Sequence, residues 1–116
     1  MRKIYHLGTC DTNRRIIKEL DLKNKNIEFQ DIKNTPMTAQ QLQEMKNLSG
    51  SYEALFSKRS RNYSKLGLKD KKLSENDYKE LILSDYTFLK RPVVILDNNI
   101  YIGNAKSVIE DLKKDV

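Results

Sequence analysis

Residues 4–15 constrain the fold most, because they pass from a short strand through a tight turn and a cysteine directly into an amphipathic helix. Residues 3–6 have strand character, and Gly8-Thr9 form the turn. The spacing predicts a helix over 12–22, with Ile16, Ile17 and Leu20 on one face and Arg14, Arg15, Lys18 and Glu19 largely on the other. Asp11 or Thr12 is the expected cap, and residues 24–26 end the helix. Residues 27–32 then alternate apolar and polar side chains, the pattern of a half-buried strand. A strand, a helix and a strand in this order predict a parallel pair joined by a right-handed crossover.

Cys10 is the only cysteine in 116 residues. At a helix start it faces N–H groups that have no partner within the helix, and their partial positive charge favours thiolate over thiol. An ordinary cysteine thiol is only about 3% ionised at pH 7, so a nucleophile needs such help. Cys10 is therefore the first nucleophile candidate, the alternative being a buried, inert thiol. A single cysteine forms neither an internal disulfide nor a cysteine-based metal site, so disulfide chemistry requires a thiol from another molecule. His6, four residues earlier, either lies beside the thiol and tunes it as an imidazolium or simply ends the strand. It has no companion ligands for a metal, and no metal site is expected.

Thr38-Ala39-Gln40-Gln41 reads as a capping box, with Met37 and Leu42 as its hydrophobic staple and a helix running through Met45 and Leu48. Gly50 breaks that helix, and a short helical turn from Ser51 carries Tyr52, Leu55 and Phe56 inward. Residues 57–72 hold seven cations, Lys58, Arg59, Arg61, Lys65, Lys69, Lys71 and Lys72, around Tyr63. Ser74 caps another helix, which has acids in its first turn and extends to about residue 84. Residues 93–96 are a short apolar run, as in a buried strand, and Asp97-Asn98-Asn99 turn the chain back into residues 100–102. Asn104 is the expected cap of a last helix that turns Val108, Ile109 and Leu112 to the core.

The length fits a single domain, with 38% hydrophobic and 33% charged residues. No apolar run reaches signal-peptide or membrane-span length, so a cytoplasmic location and no membrane partner are expected. A net charge of +6 favours anionic partners such as an oxyanion, glutathione or an acidic protein, although a solvated lysine-rich surface has the same composition. The cationic stretch around Tyr63 could meet a phosphate backbone, but no recognised binding motif accompanies it, so nucleic acid is not the expected partner.

The order of these elements resembles the arsenate reductase (ArsC) and Spx family, a branch of the thioredoxin-like α/β fold. The approach Ile4-Tyr5-His6 to Cys10 carries the resemblance, as do Cys10-Asp11-Thr12, typical of a reductase-like subgroup, and Arg91-Pro92-Val93-Val94. Residues 53–59 and 63–68 add a fourth match, and the similarity spans nearly the whole chain. The resemblance implies a mixed sheet flanked by helices, a helical insertion over about 38–88, and a cis proline, Pro92, beside the cysteine. It also implies Cys10 as nucleophile, His6 as its tuning neighbour, and Arg91 as a ligand for an oxyanion or for glutathione. Arg59, Pro92 and Thr12 complete the expected substrate-binding set, since a planar guanidinium suits bidentate oxyanion contact.

Two departures sharpen this expectation. Ser57 and Asn104 stand where the family's glutathione-dependent arsenate reductases have arginines, and Arg59 and Arg61 lie close to the first gap. Asn13 stands where the Cys-x-x-Cys switch of Spx proteins has its second thiol. The chain is thus expected to be a thiol-dependent oxidoreductase with one cysteine and no bound cofactor. Glutathione or another external thiol would be its co-substrate, a small oxyanion or a glutathione mixed disulfide its substrate, and glutaredoxin a partner. The alternatives are an Spx-like regulator that binds a protein such as RNA polymerase, and a catalytically silent member of the family.

Overall fold

A computed structural model describes residues 1–116. In chain order the elements are β1 (Arg2–His6), α1 (Asp11–Glu19), β2 (Glu28–Asp31), α2 (Ala39–Ser49), α3 (Arg61–Lys65), α4 (Glu75–Ser84), β3 (Val93–Leu96), β4 (Asn99–Ile102) and α5 (Lys106–Asp115). Single 3₁₀ turns lie at Leu22–Asn24, Glu53–Leu55, Leu68–Asp70 and Tyr86–Phe88. Residues 1–36 and 91–116 make one compact unit, and residues 37–90 make a second. No helix is long and apolar enough to cross a membrane.

The first unit contains a four-stranded mixed sheet in the order β2-β1-β3-β4. β1 is parallel to β2, with His6 opposite Asp31, and antiparallel to β3, with Tyr5 opposite Val93. The β3–β4 hairpin turns at Asp97, which takes a left-handed φ of 57° that aspartate tolerates better than bulkier residues. β3 is buried along its whole length, which explains its unbroken Val-Val-Ile-Leu run. Ile4, Val94, Leu96 and Tyr101 from the strands meet Ile16, Ile17 and Leu20 of α1 and Leu112 of α5 in one apolar core. Both helices therefore cover the same face of the sheet. On the alternate positions Tyr5, Val93 and Ile95 are fully buried. Lys3 keeps its stem buried there while its ammonium lies 3.7 Å from Glu28 and 5.0 Å from the centre of the Tyr5 ring.

Several element ends differ from the sequence expectation, each for a local reason. α1 begins one residue early because Cys10 itself is the N-cap. It ends at Glu19 because Asp21 takes a left-handed φ of 53°, after which Leu22 is buried through the following 3₁₀ turn. Asn104 does not cap α5. Ala105 is the N-cap, and the Asn104 amide instead donates to the carbonyl of Arg91 at 3.4 Å.

The second unit is helical. Thr38 and Gln41 form a reciprocal capping box at the start of α2, and Gly50 ends that helix with a φ of 94°, where a β-carbon would be strained. Ser74 and Asp77 form a second capping box at α4. Both carboxylate oxygens of Glu75 accept backbone N–H groups, from Tyr52 at 2.8 Å and Glu53 at 3.1 Å. Phe56 stacks on Phe88 at 5.1 Å and meets Tyr63 and Tyr78 at an angle, so these aromatic rings form the centre of the unit. Backbone bonds from Ser57 to Phe88 and from Lys90 to Leu55 join its two ends.

Two stability effects follow. Thr38→Ala removes one side of a capping box and should lower the unfolding free energy in urea by about 1 kcal/mol with an unchanged m-value. The Tyr101 hydroxyl donates to Asp115 at 2.5 Å; burial first, then the Asp115 carboxylate, pushes its pKa up to about 12 from 10. A folded-state pKa above the unfolded one stabilises the fold fully below pH 10, and that contribution is lost as pH rises through 12. The stability gap between wild type and Tyr101→Phe, measured by urea unfolding, should therefore be largest below pH 10 and close toward pH 12.

Candidate functional site

The site is built on the turn that carries β1 into α1. Past His6, the Cys10 N–H donates to the carbonyl of Leu7 at 3.0 Å, closing a turn over Gly8 and Thr9. The Gly8 N–H donates to a carboxylate oxygen of Asp31 at 3.2 Å, and a β-carbon on residue 8 would stand only 2.6 Å from that oxygen. A side chain at this position would therefore push the Asp31 carboxylate away from the Gly8 N–H; the glycine φ itself is ordinary.

Cys10 is half-buried at the N-cap of α1, in an extended conformation with φ −88° and ψ 117°. Its carbonyl accepts the N–H of Arg14 at 3.0 Å, while its side chain forms no capping bond to the backbone of the first turn. The sulfur instead accepts a hydrogen bond from the Asn13 amide nitrogen at 3.4 Å. The Asn13 oxygen accepts the N–H of Leu7 at 3.0 Å, and the side chain is fully buried. The cysteine thus sits at the N-terminal end of a helix with a side-chain donor directed at its sulfur.

Thr12 is half-buried in the same first turn, where Asp11 pairs with Arg14. The register that sets Tyr5 opposite Val93 brings the start of β3, Arg91-Pro92, to the end of the sheet from which the Cys10 turn departs. The Arg91–Pro92 peptide is cis, Pro92 is buried and Arg91 is half-buried. The Arg91 carbonyl takes the Asn104 amide, and that of Pro92 takes the N–H of Gly103 at 2.9 Å. Cys10, Thr12, Arg91 and Pro92 therefore belong to one unit and one end of its sheet.

His6 lies at the same end, but its chemistry differs from the expected imidazolium. Its ring packs edge-on to Phe29 at 5.5 Å, its buried Nδ1 has no hydrogen-bond partner, and no hydrogen bond joins it to Cys10. Burial pulls its pKa below 6.5, opposed by the nearby Asp31 carboxylate and assisted by Lys23. Burial thus disfavours the imidazolium that would carry positive charge at this end of the sheet, and the Asp31 carboxylate works against that effect. The side chain that does reach the sulfur is Asn13, which the sequence marked only as the absence of a second thiol.

Arg59 belongs to the 37–90 unit, where it is exposed and free of ion pairs. Lys58 lies 4.0 Å from Glu53, and the other cations of residues 57–72 are exposed to solvent. Ser57, in the first arginine gap, spends its N–H on the carbonyl of Phe88 at 2.7 Å. Tyr63 contributes to the aromatic core and is not a surface stacking platform.

The ArsC family model matches residues 5–112, a span that includes the cysteine turn and the Arg91-Pro92 strand. Among solved structures, an arsenate reductase from Vibrio cholerae is 20% identical with a TM-score of 0.78, covering 94% of this chain and 95% of that one. A protein described as a possible arsenate reductase, from Streptococcus mutans UA159, is 31% identical with a TM-score of 0.76, covering 97% of each chain. An arsenate reductase (ArsC) related protein from Brucella melitensis is 22% identical with a TM-score of 0.73, covering 95% and 92% of the two chains. No curated protein sequence matches. The mixed sheet with its helices is the thioredoxin-like arrangement of these neighbours, and with the family model spanning all but a few terminal residues, the chain belongs to the ArsC family.

Proposed function

We propose that this protein is a thiol-dependent oxidoreductase of the arsenate reductase type, with Cys10 as its only nucleophilic thiol. The observation that carries this reading is the seat of Cys10: the N-cap of α1, with an amide donor on its sulfur, in a chain of the ArsC family. The names of the neighbours from Vibrio cholerae and Streptococcus mutans point to the same chemistry.

With a mixed disulfide as substrate, the Cys10 thiolate forms a new S–S bond to one sulfur and expels the other as a thiolate. An external thiol such as glutathione then attacks and returns Cys10 to its reduced form. With arsenate, a Cys10–arsenic bond forms with loss of water, and an external thiol completes the two-electron reduction to arsenite. Cys10 and that thiol are left joined as a disulfide, and a second external thiol, or glutaredoxin, releases Cys10. One cysteine suffices for either route, because both partner sulfurs come from outside.

Arg91 is the oxyanion ligand in this reading, since the strand register sets it just before β3, at the same end of the sheet as Cys10, and its planar guanidinium suits an oxyanion. Thr12 and Pro92, in the same unit and at the same end of its sheet, are proposed to contact the substrate as well. His6, whose charged form is disfavoured by burial, is assigned to packing the end of β1 and not to charge stabilisation. Asn104 in place of an arginine makes the site weaker toward a multiply charged oxyanion than a three-arginine site, which favours mixed disulfides as the better substrates. The cytoplasm, with its glutathione pool, suits this chemistry.

Arsenate reduction and the reduction of a glutathione mixed disulfide, each assayed with glutathione and glutaredoxin, test the proposal. Cys10→Ser should abolish both activities. Arg91→Ala should lower kcat/KM for arsenate by about 10- to 100-fold, the loss of one charge-assisted contact, with a smaller effect on the mixed disulfide. If neither substrate turns over and the wild-type thiol reacts with iodoacetamide no faster below pH 8 than free cysteine does, the enzymatic reading is wrong. A regulator of Spx type would then be the better description.

A further inference from the structure

Asn13 is the only polar side chain of α1 that is fully buried, and an amide buried without partners is costly. Both of its ends are used. The Leu7 N–H is a donor only, so it requires the amide oxygen, at 3.0 Å, and this fixes the orientation of the group. The NH₂ end is thereby turned to Cys10 Sγ at 3.4 Å. Leu7 also accepts the Cys10 N–H, so the strand end, the cysteine and the first turn of α1 are joined in one closed set of hydrogen bonds. An NH₂ group donates and cannot accept, and a thiolate is a stronger acceptor than a thiol or a disulfide sulfur.

Resting on the reading of Cys10 as the nucleophile, we infer that Asn13 is its positioning residue, holding the sulfur at the mouth of the turn and favouring its thiolate. The effect is greatest when Cys10 is the leaving group. In the resolving step an external thiolate bonds to the partner sulfur of a Cys10 mixed disulfide, the Cys10 S–S bond breaks, and its electron pair goes to Cys10 Sγ, where the Asn13 N–H meets the new charge. Better leaving sulfurs speed thiol exchange. In a protein with no second thiol, position 13 thus assists the release that an external thiol must perform, and it does so without forming a covalent bond.

The test is the pH profile of Cys10 alkylation by iodoacetamide in the wild type and in Asn13→Leu, which has nearly the same length but no amide. The midpoint should rise by about one pH unit in the variant, a tenfold loss of thiolate at any pH below it. Release of glutathionylated Cys10 by free glutathione should slow in parallel. Because the variant also leaves the Leu7 N–H without its partner, which weakens the fold, the wild type supplies a second measurement. In ¹⁵N-labelled protein the Asn13 side-chain NH₂ signals should shift with the same midpoint as alkylation, and this titration should vanish in Cys10→Ser. A low wild-type midpoint that Asn13→Leu leaves unmoved, or NH₂ signals that do not follow the thiol, overturns this inference while leaving the nucleophile reading intact. A wild-type midpoint near the ordinary value of about 8.5 overturns both.

Discussion

The hydrogen-bond ladders on both edges of β1 are the constraint on which the site depends. Five residues, Arg2 to His6, pair in parallel with β2 on one side and antiparallel with β3 on the other. The first pairing brings Asp31 to the Gly8 N–H, and the second brings Arg91-Pro92 to the end of the sheet from which the cysteine turn departs. Because side chains alternate along a strand, a slip of β1 by one residue against both neighbours would turn Ile4 out of the core and displace Asp31 and Arg91-Pro92 from the turn together. The position of Cys10 is thus fixed by backbone pairing before any side chain of the site acts.

On that frame the electrostatics are modest and local. The exposed cations of the 37–90 unit account for much of the chain's positive charge, yet the cysteine caps a helix and the hydrogen bond to its sulfur comes from a single neutral amide. These are short-range, oriented dipoles, less affected by dissolved salt than a surface lysine would be. His6 illustrates the opposite choice. A ring half-buried against Phe29 binds its proton less readily than a free imidazole, because burial disfavours the charged form.

Much of this architecture was legible in the residues. The alternation over 27–32, the apolar run over 93–96 and the α1 stripe of Ile16, Ile17 and Leu20 express burial directly, and the Thr38 and Ser74 capping boxes are written in residue type and spacing. What was not legible turns on partners distant in sequence or on side chains acting against type. Asn104 has the identity of a cap but is drawn to the Arg91 carbonyl, thirteen residues away. Cys10 is a poor cap by type, yet it holds that place because its own N–H is bound to Leu7, which shifts the helix start ahead of Asp11 and Thr12. Asn13 reads as a surface residue in any polarity pattern. Only the combination of an amide three residues after a cysteine at a helix start could have suggested it.

The two compact units differ in how the chain supplies them, and this bears on how the protein is made. Residues 37–90 are contiguous, so their aromatic core and helices can assemble as soon as that stretch has been synthesised. The sheet cannot be completed then, because β3 follows the whole of that stretch, and until it arrives the inner edge of β1 has no partner. The central strand of the functional unit thus precedes the whole helical unit in the chain and is covered on its inner edge only after it. During that interval Arg2-Lys3-Ile4-Tyr5 offers an open edge to other chains, and the charges of Arg2 and Lys3 on it oppose misplaced pairing.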